Sequence, residues 1–558
     1  MKELKSNMLV LFYVLLTLVA CSDNSSELTP ELVVSATELN FTNEEQTKSL
    51  TVSSNVEFTI ESSASWCVVT PESAEAGIKT IKVTAAENTE TEDRTATITI
   101  TARDLTETIL VQQDKNIVLV LETDEYTLNP EAQELTISFK RSGDVAINID
   151  SDWISLKELK SEIEDSRTFI IEENSEILIR KGTITFTLED ISETATVTQE
   201  GIDPAIEADE TGVESTAIDL AAKIIAGWNV GNSLEVPGGE TNWGNPMVNK
   251  DLIDGVKAAG FNAVRIPCAW NGYIIDDETY EIDNAWLARV KEVVDYCVDN
   301  EMYAIINTHW DGGWLEEHPV YSKQEEINKQ LYALWQQIGV YFRDYDEHLL
   351  FAGTNEVHED YSEPSSENIE VQQSFNQTFV NAVRSTGGKN YYRNLIVQTY
   401  NTNIGWGLKY FELPTDVVNN RLFVEVHYYD PYEFTLKTDA GYNTQWGQGY
   451  TDVTSWGQED YLQEQFGKMK AAYYDLGYPI ILGEYGAIYR SSLSGTALQL
   501  HNESRNYFLK TVTSEAKANG FIPFIWDNGA GDFGLFNRST GAQIKSDAIQ
   551  AIIDGANN

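Results

Sequence analysis

Two glutamates, Glu356 and Glu484, each stand directly after a short apolar run. A proton-giving carboxylic acid and an attacking carboxylate together can break an acetal. When a glycosidic bond is hydrolysed with retention, the two groups sit roughly 5–5.5 Å apart. Other residues that could serve the same chemistry also follow apolar runs: Asn232, Arg265, His309, Trp310, Asn355, His427, Tyr429 and Trp526. Arg265 is always charged and would hold a neighbouring carboxylate ionised, as a nucleophile requires. The Tyr429 phenol could donate to the same carboxylate. Whichever carboxyl is the acid must instead keep its proton near neutral pH, which partial burial can achieve. Asn355 is suited to a hydrogen bond with a sugar hydroxyl. His309 and His427 could orient carboxylates or bind hydroxyls, or be satisfied structural histidines. There is no HExxH motif and no paired-ligand spacing, so neither a metal nor an organic cofactor is expected.

Positions 356 and 484 must be brought together by an architecture. Eight apolar runs lie beyond residue 213: Ile224–Val230, Phe261–Ile266, Tyr303–Asn307, Leu349–Gly353, Asn394–Gln398, Leu422–Val426, Pro479–Leu482 and Phe521–Ile525. Amphipathic stretches such as Leu252-Ile253-Val256 and Trp286-Val290-Val293-Val294 lie between most of them. Eight strand–helix repeats predict a (β/α)8 TIM barrel, whose strand C-terminal ends converge on one face. An open doubly wound sheet would give a similar alternation, but no Gly-rich phosphate turn follows the first run. Reading the strand ends in order adds Asn229, Tyr400, Asn401 and Asp527 to the candidate rim. Trp526 is placed to floor a sugar site. Trp243, Trp270, Trp310, Trp314, Trp406 and Trp446 fall in expected rim loops, where sugar contact and loop packing are equally open.

The N-terminal third reads differently. Residues 31–201 repeat at an offset of about 86. Ser65-Trp66 recurs as Asp152-Trp153, Arg94 as Arg180 before a Thr/Ile strand, and Val111-Gln112-Gln113 as Val197-Thr198-Gln199. Period-two alternation in both copies predicts tandem all-β immunoglobulin-like sandwiches over 31–115 and 116–202. Trp66 and Trp153 read as core residues of spacers, with sugar binding as the alternative. Residues 203–213 read as a linker and 214–558 as the barrel.

The chain opens with Lys2 and Lys5 before an apolar run, a leader over 1–20 too short to span a bilayer as a mature helix. It ends Leu18-Val19-Ala20-Cys21, which resembles a bacterial lipoprotein cleavage box and implies lipidation at Cys21, with 21–30 as a tether. Cys67, Cys268 and Cys297 have no framework spacing and are expected to be buried small hydrophobes. A formal charge of −50, from 38 basic and 88 acidic residues, argues against nucleic acid and anionic lipid as partners. It leaves a neutral polymer as the fitting substrate and the lipid at Cys21 as the membrane attachment. A monomer exported to the outer membrane, at the cell surface or on the periplasmic face, is the expected form.

As a group, Gly227-Trp228-Asn229-Val230-Gly231-Asn232, Val264-Arg265-Ile266-Pro267, Thr354-Asn355-Glu356, Val426-His427-Tyr428-Tyr429-Asp430-Pro431, Gly483-Glu484-Tyr485-Gly486 and Trp526-Asp527-Asn528-Gly529 resemble glycoside hydrolase family five. The β modules resemble BACON domains. The resemblance implies Glu356 as acid/base and Glu484 as nucleophile, with Arg265, His309, Asn355, His427, Tyr429 and Trp526 completing the site. Two positions depart from the family pattern: Val357 stands where Pro is usual, and Trp310 where many relatives carry a second His. The implied activity is retaining endo-β-1,4-glucanase, cellulase-like, with no cofactor. Xyloglucan, mixed-linkage glucan or mannan are alternative substrates, and a non-catalytic surface glycan-binding protein is the rival of another class.

Overall fold

The computed structural model describes residues 29–157, 165–529 and 531–557. Cys21 and the leader fall outside the described residues. The chain divides into two compact units, one comprising residues up to 173 with 181–199, the other 174–180 with 200 onward.

In the first unit the alternating Thr/Val/Ile segments become half-buried strands. Arg94–Ala102 turns Ala96, Ile98, Ile100 and Ala102 inward and its threonines outward, the period-two pattern of a pleated strand with one dry face. The first repeat forms a four-stranded and a five-stranded sheet around a single apolar core; the second forms two four-stranded sheets around another. The repeated Gln has a structural cause. Gln113 and Gln199 are buried, and their amides donate to the backbone carbonyls of Ala86 and Glu172 at 2.9 and 3.1 Å. Asn88 and Asn174 share the offset and donate to the carbonyls of Asp114 and Glu200, a pairing the sequence reading did not single out. Trp153 is buried in its core, while Trp66 packs against its own with the Arg94 guanidinium 4.4 Å over the ring. Both rings serve packing. Cys67, Cys268 and Cys297 are free and buried, as expected.

The second unit is a closed barrel of eight parallel strands in sequence order: Gly227–Asn229, Ala263–Ile266, Tyr303–Asn307, Leu349–Ala352, Leu395–Gln398, Leu422–Tyr428, Ile480–Tyr485 and Phe521–Ile525. All eight lie on the expected apolar runs. Strand one closes on strand eight through Gly227 to Phe524 and Trp228 to Ile525. Inside, Ala263, Tyr303, Ile305, Leu350, Ala352, Ile396, Phe423, Ile481, Ile522 and Phe524 form a dry plug with Ala217 and Leu220 of the helix Ala217–Lys223. Each large apolar side chain buried here contributes about 1.5–3 kcal/mol, which makes a rigid floor beneath the strand C-termini. Residues 203–213 are fastened along the barrel rather than hanging as a linker. Ile206 bridges Gly387, Arg343 donates to the Pro204 carbonyl at 2.9 Å, and Asp209 and Glu210 pair with Lys389 and Arg421 at 3.0 and 2.9 Å.

Strand seven departs from simple alternation. Ile481 faces the plug, and Tyr485 faces outward to meet Thr513 of the helix Gly495–Ala518 at 2.6 Å. Between them the pairing with strand six skips one residue: Val426 opposes Leu482, but His427 opposes Glu484. Gly483 is therefore an extra residue, a bulge that re-aims the side chain after it. Glycine is required there because a Cβ would run into Glu425 Oε1 and come within 2.9 Å of His427 Nε2. Gly483→Ala is expected to displace Glu484 or Glu425 and, since a misplacement near 1 Å can cost about 10²-fold in rate, to lower by that factor any turnover that depends on Glu484. Turnover close to wild type in a folded variant would show that the bulge does not aim Glu484.

Candidate active site

The residues that face one another over the plug come from the strand ends. Arg265, on strand two, is wholly buried and radiates three ways. Its Nη1 donates to Glu484 Oε1 at 3.0 Å and Asn229 Oδ1 at 3.1 Å, and its Nη2 to Asn355 Oδ1 at 2.8 Å. Its Nε lies 3.0 Å from Glu425 Oε1. The Tyr429 hydroxyl donates to Glu484 Oε2 at 3.1 Å, so both oxygens of that carboxylate accept a hydrogen bond. Glu356, at the end of strand four, meets His427 Nδ1 at 2.6 Å, and the other ring nitrogen lies 3.3 Å from Glu425 Oε1. The nearest donor atoms of Glu356, His427 and Glu484 all lie within 4.8 Å of one another. Positions 356 and 484 thus do meet face to face. The three could converge on a cation, but each is already engaged by a neighbour: Glu484 by Arg265 and Tyr429, Glu356 and His427 by one another.

His309 is also part of this set. Asn307 accepts from the Cys268 N–H through its Oδ1, which turns its Nδ2 toward His309 Nδ1 at 3.2 Å. That contact assigns the ring proton to Nε2 and leaves a donor free. Burial, with the charges of Arg265 and His427, keeps the imidazole well below its ordinary value and therefore neutral. Trp526 stacks parallel to it with centroids 6.0 Å apart. Its indole has room because Gly231 carries no side chain; a Cβ there would sit 2.6 Å from the ring.

Several candidates stand apart from this bonded set. Asn232, at a positive φ of 55°, organises the first loop, its carbonyl accepting from Asn245 at 2.9 Å. Trp310 lies on the rim, its ring 6.3 Å from that of Trp243 and its Nε1 donating to Glu317. Trp243 is half exposed, and Trp314 and Trp406 are partly so. Trp270 and Trp446 are fully buried, however, their indoles donating to the carbonyls of Asn307 and Gly457, so both are packing residues and not sugar platforms. Tyr400 is buried and accepts from the Glu359 N–H, while Asn401 adopts a left-handed turn with φ 48°. Asp527 is structural, joining Trp228 Nε1 at 3.0 Å and Arg538 at 3.1 Å.

Two buried carboxyls bonded to this set escaped the sequence reading. Glu425 lies two residues before His427 on strand six and is held by Arg265 and by Gln398 Nε2 at 2.6 Å. A charged residue inside the run Leu422-Phe423-Val424-Glu425-Val426 was the signal. Glu316 sits in the loop after strand three, its Oε2 3.0 Å from Asn355 Nδ2 and from the Glu356 N–H; nothing in its local sequence marked it.

Proton placement differs from the sequence expectation. Burial alone would push the Glu356 carboxyl up, but the His427 bond and charge, with Arg265, bring it below the usual range. Burial and the facing Glu356 charge raise Glu484, against the pull of His427 and Arg265. Burial would likewise lower His427, yet Glu484, Glu356 and Glu425 around it carry its value up to about 10. The opposite shifts of Glu356 and His427 favour the proton expected on Glu356 lying on His427, across a 2.6 Å contact.

Residues 228–532 match the family described as Cellulase (glycosyl hydrolase family 5). The chain belongs to glycoside hydrolase family 5. Residues 31–116 and 118–202 match the family described as Viral BACON domain. A Bacteroides ovatus protein named xyloglucan-specific endo-β-1,4-glucanase is 43% identical over 64% of this chain and 73% of its own length. Endoglucanase A of Paenibacillus barcinonensis is 38% identical over 61% of this chain and 90% of its own. The solved structure of a Bacteroides ovatus GH5 xyloglucanase in complex with a XXXG heptasaccharide covers 95% of this chain and 100% of its own, with TM-score 0.62 and 33% identity. In this family 5 glycoside hydrolase, Val357 is fully buried in the outer core, an apolar role in which its departure from Pro removes no polar group.

The raised His427 value has a stability consequence. Its imidazolium contribution is complete below about pH 6.5 and is lost as pH rises through about 10. The difference in Tm between wild type and His427→Gln should be widest near pH 6 and narrow toward pH 10. A difference that stays constant across that range would remove the charged imidazole from the account.

Proposed function

We propose that this chain hydrolyses internal β-1,4-glucosidic bonds with retention, Glu484 acting as nucleophile and Glu356 as acid/base. One observation carries the reading: an oxygen of each carboxylate lies within 4.8 Å of one on the other, an approach on the scale of the roughly 5–5.5 Å carboxyl separation of double displacement. Glu356, 30% exposed at its side chain, gives a proton to the leaving glycosidic oxygen while a Glu484 oxygen attacks the anomeric carbon. The bond to the leaving sugar breaks, and a covalent glycosyl–enzyme forms. The Glu356 carboxylate then takes a proton from water as that water displaces Glu484. Arg265 and Tyr429 hold the attacking carboxylate from opposite oxygens. The neutral His309 offers its Nε2–H to a sugar hydroxyl, and Trp526 an aromatic face to the ring.

Glu484→Ala is expected to abolish turnover, with azide unable to restore a retained product. Glu356→Ala should still release good leaving groups that need little protonation. Reversed behaviour would exchange the two roles. Among substrates, xyloglucan is the favoured second reading, because a relative bearing that specificity in its name is 43% identical and a solved xyloglucanase matches 95% of the chain. A reducing-sugar assay on carboxymethylcellulose, barley glucan, xyloglucan and mannan separates these. Silence on all four would favour a glycan-binding protein instead.

The segment Leu18-Val19-Ala20-Cys21 supports export and lipid anchoring through Cys21, with outer-membrane placement. Cys21→Ala should move the protein from membrane to soluble fractions; unchanged fractionation overturns the anchor.

A further inference from the structure

We propose that Glu316 is a positioning residue for the acid/base. As a double hydrogen-bond acceptor, it locks Asn355 and the Glu356 backbone at the end of strand four. The inference rests on the reading of Glu356 given above and extends it to a side chain outside the six strand-end residues that complete the nucleophile and acid/base.

Glu316 is only 5% exposed, and one oxygen receives two donors, Asn355 Nδ2 and the Glu356 N–H, both at 3.0 Å. Its own carbonyl accepts from the His358 N–H at 2.7 Å. Three donors within residues 355–358 thus converge on one residue of a different loop. That loop is anchored in turn: Leu315 is buried in the outer core, and Asp311 Oδ2 accepts from the Trp270 N–H at 2.6 Å. The Asn355 amide is held at both ends, its oxygen by Arg265 at 2.8 Å and its nitrogen by Glu316. A flipped amide would turn its NH2 toward a guanidinium and its oxygen toward a carboxyl, so only one orientation is available. The same bonds connect the acid/base, through its backbone, to the arginine that grips the nucleophile.

The ionisable groups facing Glu316 are Glu356 and Glu484 from the strand ends and Tyr361 from the loop after strand four, with His358 bonded beside it. Burial and the negative neighbours push Glu316 up to about 8. It is therefore neutral near pH 7, accepting both bonds without placing a further charge beside Glu356. A glutamine has the same shape, the same acceptor and no titration.

The test compares wild type, Glu316→Gln, Glu316→Ala, Glu316→Leu and Glu356→Ala as full chains. Each is assayed on β-glucan polysaccharide and on an activated aryl β-cellobioside, with circular dichroism to verify folding. Glu316→Gln should stay within about threefold of wild type at pH 6–7. Removal of the acceptor by Ala or Leu should lower kcat on polysaccharide by about 10²-fold, with KM little changed and a smaller loss on the aryl glycoside. Above pH 8 the profile of Glu316→Gln should separate from that of wild type. A folded Ala or Leu variant with wild-type kcat, or a Gln variant as impaired as Ala, overturns the proposal. Full polysaccharide turnover by Glu356→Ala would instead overturn the reading of Glu356, whatever Glu316 does.

Discussion

A guanidinium with no access to water cannot be left uncompensated; unpaired, its burial would cost many kcal/mol. Arg265 is in that position, and its surroundings follow from the need to satisfy it. Glu425 lies beneath it and Glu484 above, with the amide oxygens of Asn229 and Asn355 taking the remaining directions. Removing either carboxylate would leave charge in a dry interior. The charge count matters as much as the bonds. Arg265 and His427 face the three carboxylates of Glu356, Glu425 and Glu484, so negative groups outnumber positive ones by one. An excess of one negative charge, held in a site walled by protein, suits the positive charge that develops on a sugar ring as its glycosidic bond breaks.

Backbone irregularity is what turns this balance into geometry. Along a regular strand, inward Ile481 would make Gly483 the next inward residue and send Glu484 toward the helices. The extra residue at Gly483 lets Glu484 join Glu425 and His427 on the lumen side while Tyr485 still reaches Thr513. The dry plug below makes this tolerable, because Ile481, Phe423 and Ile522 fix the strands just before the irregularity begins. The absence of side chains at Gly483 and Gly231 then lets Glu425 and Trp526 close in on the same space.

How much of this could be read from residues alone follows from the range of the forces involved. The eight strands were legible because a strand buried on both faces must be apolar throughout, and Tyr303–Asn307 and Phe521–Ile525 show that directly. Arg265, Asn355, Glu356, His427, Tyr429 and Glu484 were legible as polar residues at the ends of such runs, but the same position alone did not separate them from Asp527 and Tyr400, which serve the fold. Trp270 and Trp446 stayed open between sugar contact and packing because loop position does not reveal which way an indole turns, and both turn inward to carbonyl acceptors. Glu316 was invisible for a related reason: its partners lie 39 and 40 positions away and are met only across the fold. The reversal of proton placement between Glu356 and His427 depends on three carboxylates gathering around one imidazole, a long-range fact with no local trace.

That reversal can be reconciled with an acid/base role through solvent. Glu356 keeps 30% of its side chain exposed while His427 keeps only 3%, and water supports the separated charges of an imidazolium–carboxylate pair. A polysaccharide lying over the cleft removes that water. Desolvation disfavours the charge-separated form relative to a neutral imidazole beside a protonated carboxyl. The proton then needs to cross only the 2.6 Å between His427 Nδ1 and Glu356 Oε1. On the reading proposed for Glu356, a drier surrounding favours the neutral pair, with the proton on the carboxyl that needs it. The 3.3 Å contact from His427 Nε2 to Glu425 allows this, since a neutral ring can keep its remaining proton on that side.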